Sequence, residues 1–495
     1  DFREMDGGFF PEVNIGDGNG NAFTTFGTEA NSYNNKLNSD IFQIQDNFVW
    51  NIEDHQITIG TQSDYRSFLN GYARDFAGMW QYKSIQDFKD DVNAFKNGTP
   101  GYVSKASSYR QTYSMLDEFP FAKVDVLSLG FYVQDKWAVT PKLNLTYGIR
   151  VDLPIFMNEL QANGRIDTIT YQGGRKIDVS KYPKTAPLFS PRLGVNYDVL
   201  GNRTLIVRGG TGLFSGTPPY VWLSNQAGNN GLLFGSTTTK RPFDGVVDLP
   251  KPTNAALTTA AIAVSDENFK YPQLWKSNLA LDYKFGDGWI ATAEVLYNKD
   301  INAIYHMNIA LPDYTSSNVF AMTGADNRPI FKIKSIDSKV SDVILMTNTN
   351  KGYSLYTTFQ LQKDFKSGLL KGLYLNGSYT FGESKGVTDG SSSVAYSAWR
   401  YRPAIDPNAQ ELGYLAGSFP TRILLQASYR KEWSKNYATS FGVIYQRYSP
   451  FRYSYTYNGD VNGDGVSDND LLFVPATKDQ ITLVKDGSSD TRTPD

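Results

Sequence analysis

Apolar and polar side chains alternate with a period of two over long stretches of the chain. Trp289, Val295 and Tyr297 fall on one face of such a stretch, and Thr292 and Glu294 fall on the other. The preceding stretch, 279–285, alternates in the same way, and a Gly-Asp-Gly sequence separates the two. Strict alternation indicates a half-buried strand, and a tight glycine turn joins antiparallel neighbours. The pattern therefore predicts a β-hairpin with one apolar face and one polar face.

Five further hairpins share this pattern. Their turns fall near residues 53–54, 140–142, 201–202, 367–368 and 434–435. Together the hairpins give about twelve strands of roughly ten residues, which is the length that a tilted strand needs to cross a bilayer. Twelve strands are an even number that closes a barrel, but loops of this size are typical of wider barrels. We therefore expect the chain to supply part of a barrel of roughly 22 strands.

Long polar segments connect one hairpin to the next. They cover about 67–124, 152–190, 214–273, 299–351 and 382–419, and they are rich in Asn, Ser, Thr, Gly and Tyr. Connections of this length are uncommon in compact soluble domains. Short turns on one side and long loops on the other are typical of outer-membrane barrels. The predicted fold is therefore an all-β, transmembrane, antiparallel up-and-down β-barrel with long extracellular loops.

The two faces of the strands differ in the way that a membrane barrel requires. Many apolar rows begin or end in Trp, Tyr or Phe, which suit the boundary between lipid and water. The opposite rows carry charges, which are tolerated in a wet lumen: Arg150, Arg192, Arg208, Asp282, Lys284, Glu294, Arg422 and Arg430. A pairing of Asp282 with Glu294 as general acid and base is the alternative interpretation of two of these charges. A large soluble all-β protein is the alternative fold.

Composition excludes several classes of function. The 495 residues include no Cys and two His, so thiolate chemistry, disulfides and a multi-histidine metal site are excluded or disfavoured. We expect both histidines, His55 and His306, to be exposed and without a role, and we expect no enzymatic activity. Lys+Arg 48 against Asp+Glu 50 argues against nucleic acid as a partner. The mean hydropathy is −0.39 and no apolar run approaches the ~18 residues of a membrane helix.

Three sequence motifs carry a resemblance to a known family. The segment 131–137 (FYVQDKW), followed by 143–150 (LNLTYGIR), resembles the recurrent barrel hairpin of TonB-dependent outer-membrane transporters. The segments 190–195 (SPRLGV) and 205–214 (LIVRGGTGLF) resemble the next hairpin of that family. The segment 460–465 (DVNGDG), followed by 469–475 (NDLLFVP), resembles the Oar-like branch.

The resemblance implies energised uptake of a large nutrient ligand, such as a glycan, a peptide or a chelate, across the bacterial outer membrane. We identify no plug domain and no N-terminal coupling motif in the sequence. The resemblance therefore implies that residues 1–495 are the barrel portion of a longer protein. The expected partners are outer-membrane lipid, a TonB-type energy-coupling complex that acts through the missing plug, and a surface lipoprotein. The alternative function is a non-transporting scaffold or adhesin whose loops dock other surface proteins.

One loop, 448–495, contains a candidate calcium site. Oxygen-bearing side chains recur at alternate positions with Gly where the chain turns, as at the start of a Ca²⁺-binding loop. Leu471 stands where the final bidentate Glu of such a loop is expected, so a polar turn without metal is the alternative. We expect bound Ca²⁺ to be structural and to cross-link the loop; the predicted ligands are Asp460, Asn462, Asp464, Asp468 and Asp470.

Several aromatic residues in the predicted loops are candidates for stacking on a sugar or a peptide. These residues are Trp222, Trp275, Trp399, Tyr401 and Tyr414. Scattered exposed aromatics are also ordinary on protein surfaces, so the sequence does not choose among them.

Overall fold

The computed structural model describes residues 10–481 except residues 117, 245–258, 323 and 391. Its helices are α1 (Ile85–Lys96), α2 (Tyr220–Gly228) and α3 (Ala395–Arg400), and short 3₁₀ turns lie at Gln172–Gly174 and Lys478–Gln480. Among the described residues, none of these helices has both the length and the apolar character needed to cross a membrane.

Strands dominate the described part of the chain. In chain order they are β1 (Glu12–Gly16), β2 (Ala22–Phe26), β3 (Lys36–Ile52), β4 (His55–Gly71), β5 (Met79–Tyr82), β6 (Ser108–Ser114), β7 (Ala122–Thr140), β8 (Leu143–Phe156), β9 (Leu188–Asp198), β10 (Leu205–Ser215), β11 (Phe234–Thr239), β12 (Ala260–Ser265), β13 (Gln273–Phe285), β14 (Trp289–Asp300), β15 (Ala303–Asn308), β16 (Val319–Ala321), β17 (Pro329–Phe331), β18 (Val340–Thr349), β19 (Tyr353–Asp364), β20 (Leu373–Gly386), β21 (Gly413–Tyr414), β22 (Thr421–Ser434) and β23 (Tyr437–Tyr448).

The largest sheet confirms the predicted hairpins. Twelve of its strands lie in the order β23-β22-β20-β19-β14-β13-β10-β9-β8-β7-β4-β3, and β21 adds to β20. Neighbours are antiparallel throughout, and β13 pairs with β14 from Phe285 opposite Trp289 to Leu274 opposite Asp300. Each of the twelve strands follows its neighbour in the chain, which makes the sheet an up-and-down meander. We call the edge with the tight turns the turn end and the edge with the long connections the loop end.

The strands are longer than the predicted ten residues. Their lengths run from 11 residues in β9 to 19 residues in β7. The turn between β3 and β4 places Glu53 at φ 50°, a left-handed conformation that a two-residue hairpin turn requires. The extra length lies mostly at the loop end, where β4 continues to Gly71 and β7 begins at Ala122.

The two faces of the large sheet differ as predicted. Leu279 and Phe359 on the apolar face are 60% and 52% exposed, which leaves a continuous apolar surface bare. On the polar face Arg208 Nε lies 2.8 Å from Asp282, and its Nη1 lies 3.5 Å from Glu294. Both carboxylates therefore form an ion-pair network with one guanidinium, as wall charges, and do not form an acid–base pair.

The long connections are folded, which alternation along the chain did not predict. A five-stranded sheet, β11-β6-β5-β1-β2, encloses its own core around Val13, Trp80 and Tyr109. A three-stranded sheet, β12-β18-β15, packs on a second core that includes Ile166, Val264 and Val343. The loop end is therefore a set of packed substructures whose backbone can hold side chains in fixed positions.

The large sheet ends in two edges. Among the described strands, β3 pairs only with β4 and β23 pairs only with β22. Every residue of β3 is exposed, on both faces. Unpaired backbone groups of this kind are not tolerated in a lipid bilayer, so in a membrane each edge must pair with another strand.

Candidate functional site

The main cleft of the loop end lies where β20, β21 and the segment after β23 meet. Its volume is about 690 Å³, and its walls include Tyr401, Tyr414, Arg452, Tyr453 and Tyr455. A concave site of this size that combines aromatic faces with a few polar groups is typical of ligand pockets.

Pairing of the two-residue strand β21 with β20 holds Tyr414 in the wall of the cleft. Tyr414 lies opposite Lys385 in the register between β20 and β21. The Lys385 ammonium lies 4.6 Å from the centroid of the Tyr414 ring, and the Arg452 guanidinium carbon lies 3.4 Å from it. Cation–π contacts of this kind stabilise the ring and bring positive charge to the cleft.

Two further tyrosines face the cleft from the segment after β23. Tyr453 is 76% exposed and Tyr455 is 67% exposed, and their ring centroids lie 5.3 Å apart at an angle of 82°. Tyrosine offers a rigid apolar ring with a polar tip, so exposed pairs of this kind suit contact with a partner molecule. These residues were not predicted from the sequence, although the alternation of Tyr453 and Tyr455 was a signal for them.

Carboxyl and guanidinium groups complete the lining. Asp389 accepts a hydrogen bond from the backbone N–H of Ala416 at 2.9 Å. Burial raises the pKa of Glu411, and the nearby Asp406 raises it further. The Arg402 guanidinium donates to the Ala409 carbonyl at 3.0 Å and to the Tyr305 hydroxyl at 3.3 Å, so it fixes the backbone behind the cleft.

The aromatic residues singled out from the sequence have different positions. Tyr401 and Tyr414 line the cleft. Trp399 is 1% exposed and donates to the Pro407 carbonyl at 3.1 Å, so it is a core residue and not a stacking platform. Trp222 donates to the Ser392 carbonyl at 2.7 Å, and Trp275 lies on the apolar face of β13.

Both histidines have partners in the fold. The expectation of an exposed side chain is wrong for His306, whereas the His55 side chain is 34% exposed. His55 Nδ1 lies 2.6 Å from Asp135, and its ring stacks on Trp137 with centroids 5.2 Å apart. His306 is 4% exposed and packs edge-on against Trp222. Burial lowers the pKa of His306 to about 4, so this side chain is neutral near pH 7.

The predicted calcium ligands lie in one compact turn beside the cleft. Asp460 accepts hydrogen bonds from the backbone N–H groups of Gly463 at 2.7 Å and Gly465 at 3.0 Å. Asn462 Oδ1 accepts from the N–H of Asp464 at 2.9 Å, and Asp468 Oδ1 accepts from the N–H of Gly459 at 3.4 Å. These contacts are those of nested Asx turns, which order the loop through its own backbone.

One of the five side chains is engaged in a buried ion pair. Arg328 Nη1 lies 3.3 Å from Asp470, and both side chains are fully buried. The same guanidinium donates to Asp326 at 2.9 Å and to the Leu471 carbonyl at 2.6 Å. Backbone hydrogen bonds then join the loop to the cleft, from Leu472 N–H to the Tyr455 carbonyl at 2.9 Å.

The charge around Asp464 is less well balanced. Asp464 is 2% exposed, and burial together with the nearby Asp460 and Asp470 raises its pKa to about 6. Asn469 Nδ2 donates to Asp464 at 3.2 Å, and Asn469 Oδ1 is buried without a hydrogen-bond partner. Within the part of the chain that the structure describes, however, no three His, Cys, Asp or Glu side chains converge as a metal site.

Comparison with known families identifies the sheet. The family model described as "outer membrane beta barrel domain" matches residues 3–442. The match covers the strands of the large sheet from β3 to β22 and the first half of β23.

Several solved structures are similar in fold. They include the outer membrane transporter YddB from Escherichia coli, with a TM-score of 0.43 and 13% identity over 79% of this chain and 40% of that one. The FrpB iron transporter from Neisseria meningitidis has a TM-score of 0.39 and 11% identity over 82% of this chain and 42% of that one. The siderophore receptor PirA from Acinetobacter baumannii has a TM-score of 0.43 and 12% identity over 90% of this chain and 47% of that one. The chain spans less than half the length of these structures, and no curated protein matches it.

Proposed function

The chain belongs to the outer membrane beta barrel domain family and lies in the bacterial outer membrane, and from this premise we propose that it is the barrel wall and outer-loop portion of a nutrient receptor and transporter. The observation that carries the proposal is the cleft at the loop end, which combines exposed tyrosine rings with charged groups. A site of this composition suits a ligand with both apolar faces and hydrogen-bonding groups. A glycan or a peptide has that chemistry.

We also propose the finer assignment that the sequence resemblance implies. The transporter is of the TonB-dependent, Oar-like type, and an energy-coupling complex acts on it through a plug. The exposed edges of β3 and β23 support a barrel completed by further strands, about 22 in total. Residues 448–495 then form an extracellular loop, of which 482–495 lie outside the described residues.

The cleft can be tested by removing the exposed rings. We expect the double variant Tyr453→Ser/Tyr455→Ser to bind its glycan or peptide at least about 30-fold more weakly. The reason is that aromatic side chains that a bound partner buries are typical binding hot spots. The measurement is binding of purified protein in detergent to an array of immobilised polysaccharides and peptides, followed by titration of the strongest probe.

A matched control uses a tyrosine at the opposite edge. Tyr437 is 74% exposed and lies at the turn end of β23, so Tyr437→Ser should leave the titration unchanged. Equal binding by wild type and by the double variant would place the ligand elsewhere. If Tyr437→Ser loses as much affinity as the double variant, the loss is a general effect of removing an exposed tyrosine and does not locate the ligand in the cleft.

The scaffold or adhesin function is supported by a different observation. The five-stranded sheet with its own core presents a folded surface at the loop end, and a docking surface does not need transport. Deletion of the coupling motif in the full-length gene product separates the two functions. Uptake of the bound probe by cells stops after this deletion if the protein is a transporter, whereas surface assembly with a lipoprotein or another partner persists if the protein is a scaffold.

We propose in addition that Ca²⁺ binds the turn formed by Asp460, Asn462, Asp464, Asp468 and Asp470. The support is the buried, negatively charged surroundings of Asp464 and the unpartnered oxygen of Asn469. A divalent cation prefers such oxygen ligands, and extracellular calcium modules bind with dissociation constants of about 0.1–1 mM. The role of the ion is to cross-link the loop behind the cleft.

Hydrogen exchange tests this site directly. We expect about 10 mM Ca²⁺ to slow exchange in residues 459–472 about tenfold or more relative to a chelator, because an ion bound to the closed loop opposes its opening. Asp464→Asn should abolish this response. Asp17→Asn is the control, since Asp17 also caps a turn by accepting from the N–H of Asn19, but at a distant loop. If Ca²⁺ does not slow hydrogen exchange in the wild type, the turn is an Asx structure that binds no metal.

A further inference from the structure

Two cations near the loop end of the polar face have no acidic partner. Within the described residues, Arg192 of β9 and Lys276 of β13 form no ion pair. Three other cations of the same wall are paired: Arg66 lies 2.6 Å from Asp64, Arg150 lies 2.7 Å from Asp152 and Arg208 lies 2.8 Å from Asp282. Lys284 and Arg422 also form no ion pair within the described residues, but they lie away from Arg192 in the register of the sheet. Arg192 and Lys276 therefore leave a local excess of positive charge.

The register of the sheet places these two cations on either side of one position of β10. Gly212 of β10 lies opposite Arg192 on one side and opposite Lys276 on the other, so all three share the polar face. The Arg192 guanidinium carbon lies 5.2 Å from the centroid of the Phe214 ring, and the Lys276 ammonium lies 5.5 Å from it. One aromatic ring thus orients both cations through cation–π contacts.

The space around Arg192 is open. The residues opposite Arg192 on the two neighbouring strands are glycines, Gly148 of β8 and Gly212 of β10. Neither position therefore carries a side chain that could cover Arg192. Arg192 and Phe214 line a cavity of about 420 Å³ near the loop end, together with the hydroxyls of Ser190 and Ser215. The ion pairs Arg66–Asp64 and Arg150–Asp152 line it as well, so Arg192 is the one cation among its described lining residues without a carboxylate, and Lys276 lies beyond its lining. A second cavity of about 180 Å³ shares Arg192.

We propose that Arg192 and Lys276 form a subsite on the inner wall of the barrel for an anionic oxygen group, a carboxylate or a phosphate. The planar guanidinium of Arg192 can donate two parallel hydrogen bonds to such a group, and the ammonium of Lys276 adds a point charge. The subsite lies near the loop end, so an acidic molecule that enters from that side meets it early. The inference rests on the barrel wall and not on uptake, so its failure leaves the proposed function standing.

Binding of small anions to the full chain in detergent tests the subsite. The probes are inorganic phosphate, followed by its ³¹P line width, and succinate, followed by the line width of its ¹³C-labelled carboxylates. We expect both lines to broaden in a titratable way at low ionic strength, and about 0.5 M NaCl to suppress the broadening because salt screens the charges. The double variant Arg192→Gln/Lys276→Gln should lose about tenfold or more in affinity for each probe.

Two further variants keep the result interpretable. Arg208→Gln removes a cation that Asp282 already neutralises, so we expect less than about a twofold change in affinity. Arg192→Lys keeps the positive charge but loses the two parallel hydrogen-bond donors of the guanidinium, so we expect weaker binding of each anion without complete loss. Undiminished broadening in the double variant, equal losses in the double and Arg208→Gln variants, or no broadening with the wild type would each overturn the proposal.

Discussion

Replacing Arg328 with methionine is expected to release the loop that supports the cleft. Arg328 and Asp470 are both fully buried, and removal of one partner leaves the other charge buried without compensation. Breaking a pair of this kind typically costs about 3–5 kcal/mol. Burial already raises the pKa of Asp470 even with the guanidinium beside it, so its ionised form depends on that partner. Hydrogen exchange of residues 455–472 should therefore accelerate by about two to three orders of magnitude.

A second change distinguishes lost charge balance from lost packing. The double variant Arg328→Met/Asp470→Asn removes the unpaired charge at position 470 and leaves Asp326 as the carboxylate that has lost the guanidinium. The Asn oxygen still accepts from the N–H of Val461, as the Asp470 oxygen does at 2.8 Å. We expect the double variant to recover most of the lost protection. Arg74→Met is the control for an exposed pair, since Arg74 is 59% exposed and its pair with Asp75 contributes less than about 1 kcal/mol. Fast exchange in the double variant equal to that of Arg328→Met would attribute the effect to packing or to the lost contact with Asp326, and not to the charge of Asp470.

The same cleft loop shows the limit of sequence reasoning. The spacing of Asp460, Asn462 and Asp464 predicted a compact oxygen-rich turn, because Asx turns form between residues close in sequence. Arg328 precedes Asp470 by 142 positions, and no local pattern joins them. The sequence therefore indicated the turn but not the cation that fixes it. Whether Ca²⁺ binds there stays a prediction.

The hairpins of the large sheet were predictable for the opposite reason. The strands of each hairpin are neighbours in the chain, so alternation and the turn between them determine the pairing. The loop-end sheets join distant segments instead. β12 pairs in parallel with β18, and β11 pairs with β6, across long intervening stretches. Pairing of this kind depends on tertiary packing, which also explains why Trp399 belongs to a core and not to a ligand surface.

A charge placed on the apolar face should test the orientation of the wall in the membrane. Phe359 lies in the middle of β19 and is 52% exposed on that face. We expect Phe359→Arg to lower the free energy of unfolding in lipid by about 2–4 kcal/mol, the cost of a cation near the bilayer midplane of a barrel. The measurement is denaturant unfolding of the purified protein in lipid vesicles.

The adjacent residue provides the matched control, because successive side chains of a strand point to opposite faces. Gln360 lies on the polar face, where its Nε2 donates to Asn376 at 3.0 Å. Gln360→Arg places the same charge one position away but into a wet interior, so its cost should stay below about 1 kcal/mol. If both variants lose the same stability, the two faces have the same surroundings, and the apolar face does not contact lipid. If only Phe359→Arg is destabilised, the apolar face contacts lipid and the polar face contacts water. The cations on the inner wall then face the path of an entering solute.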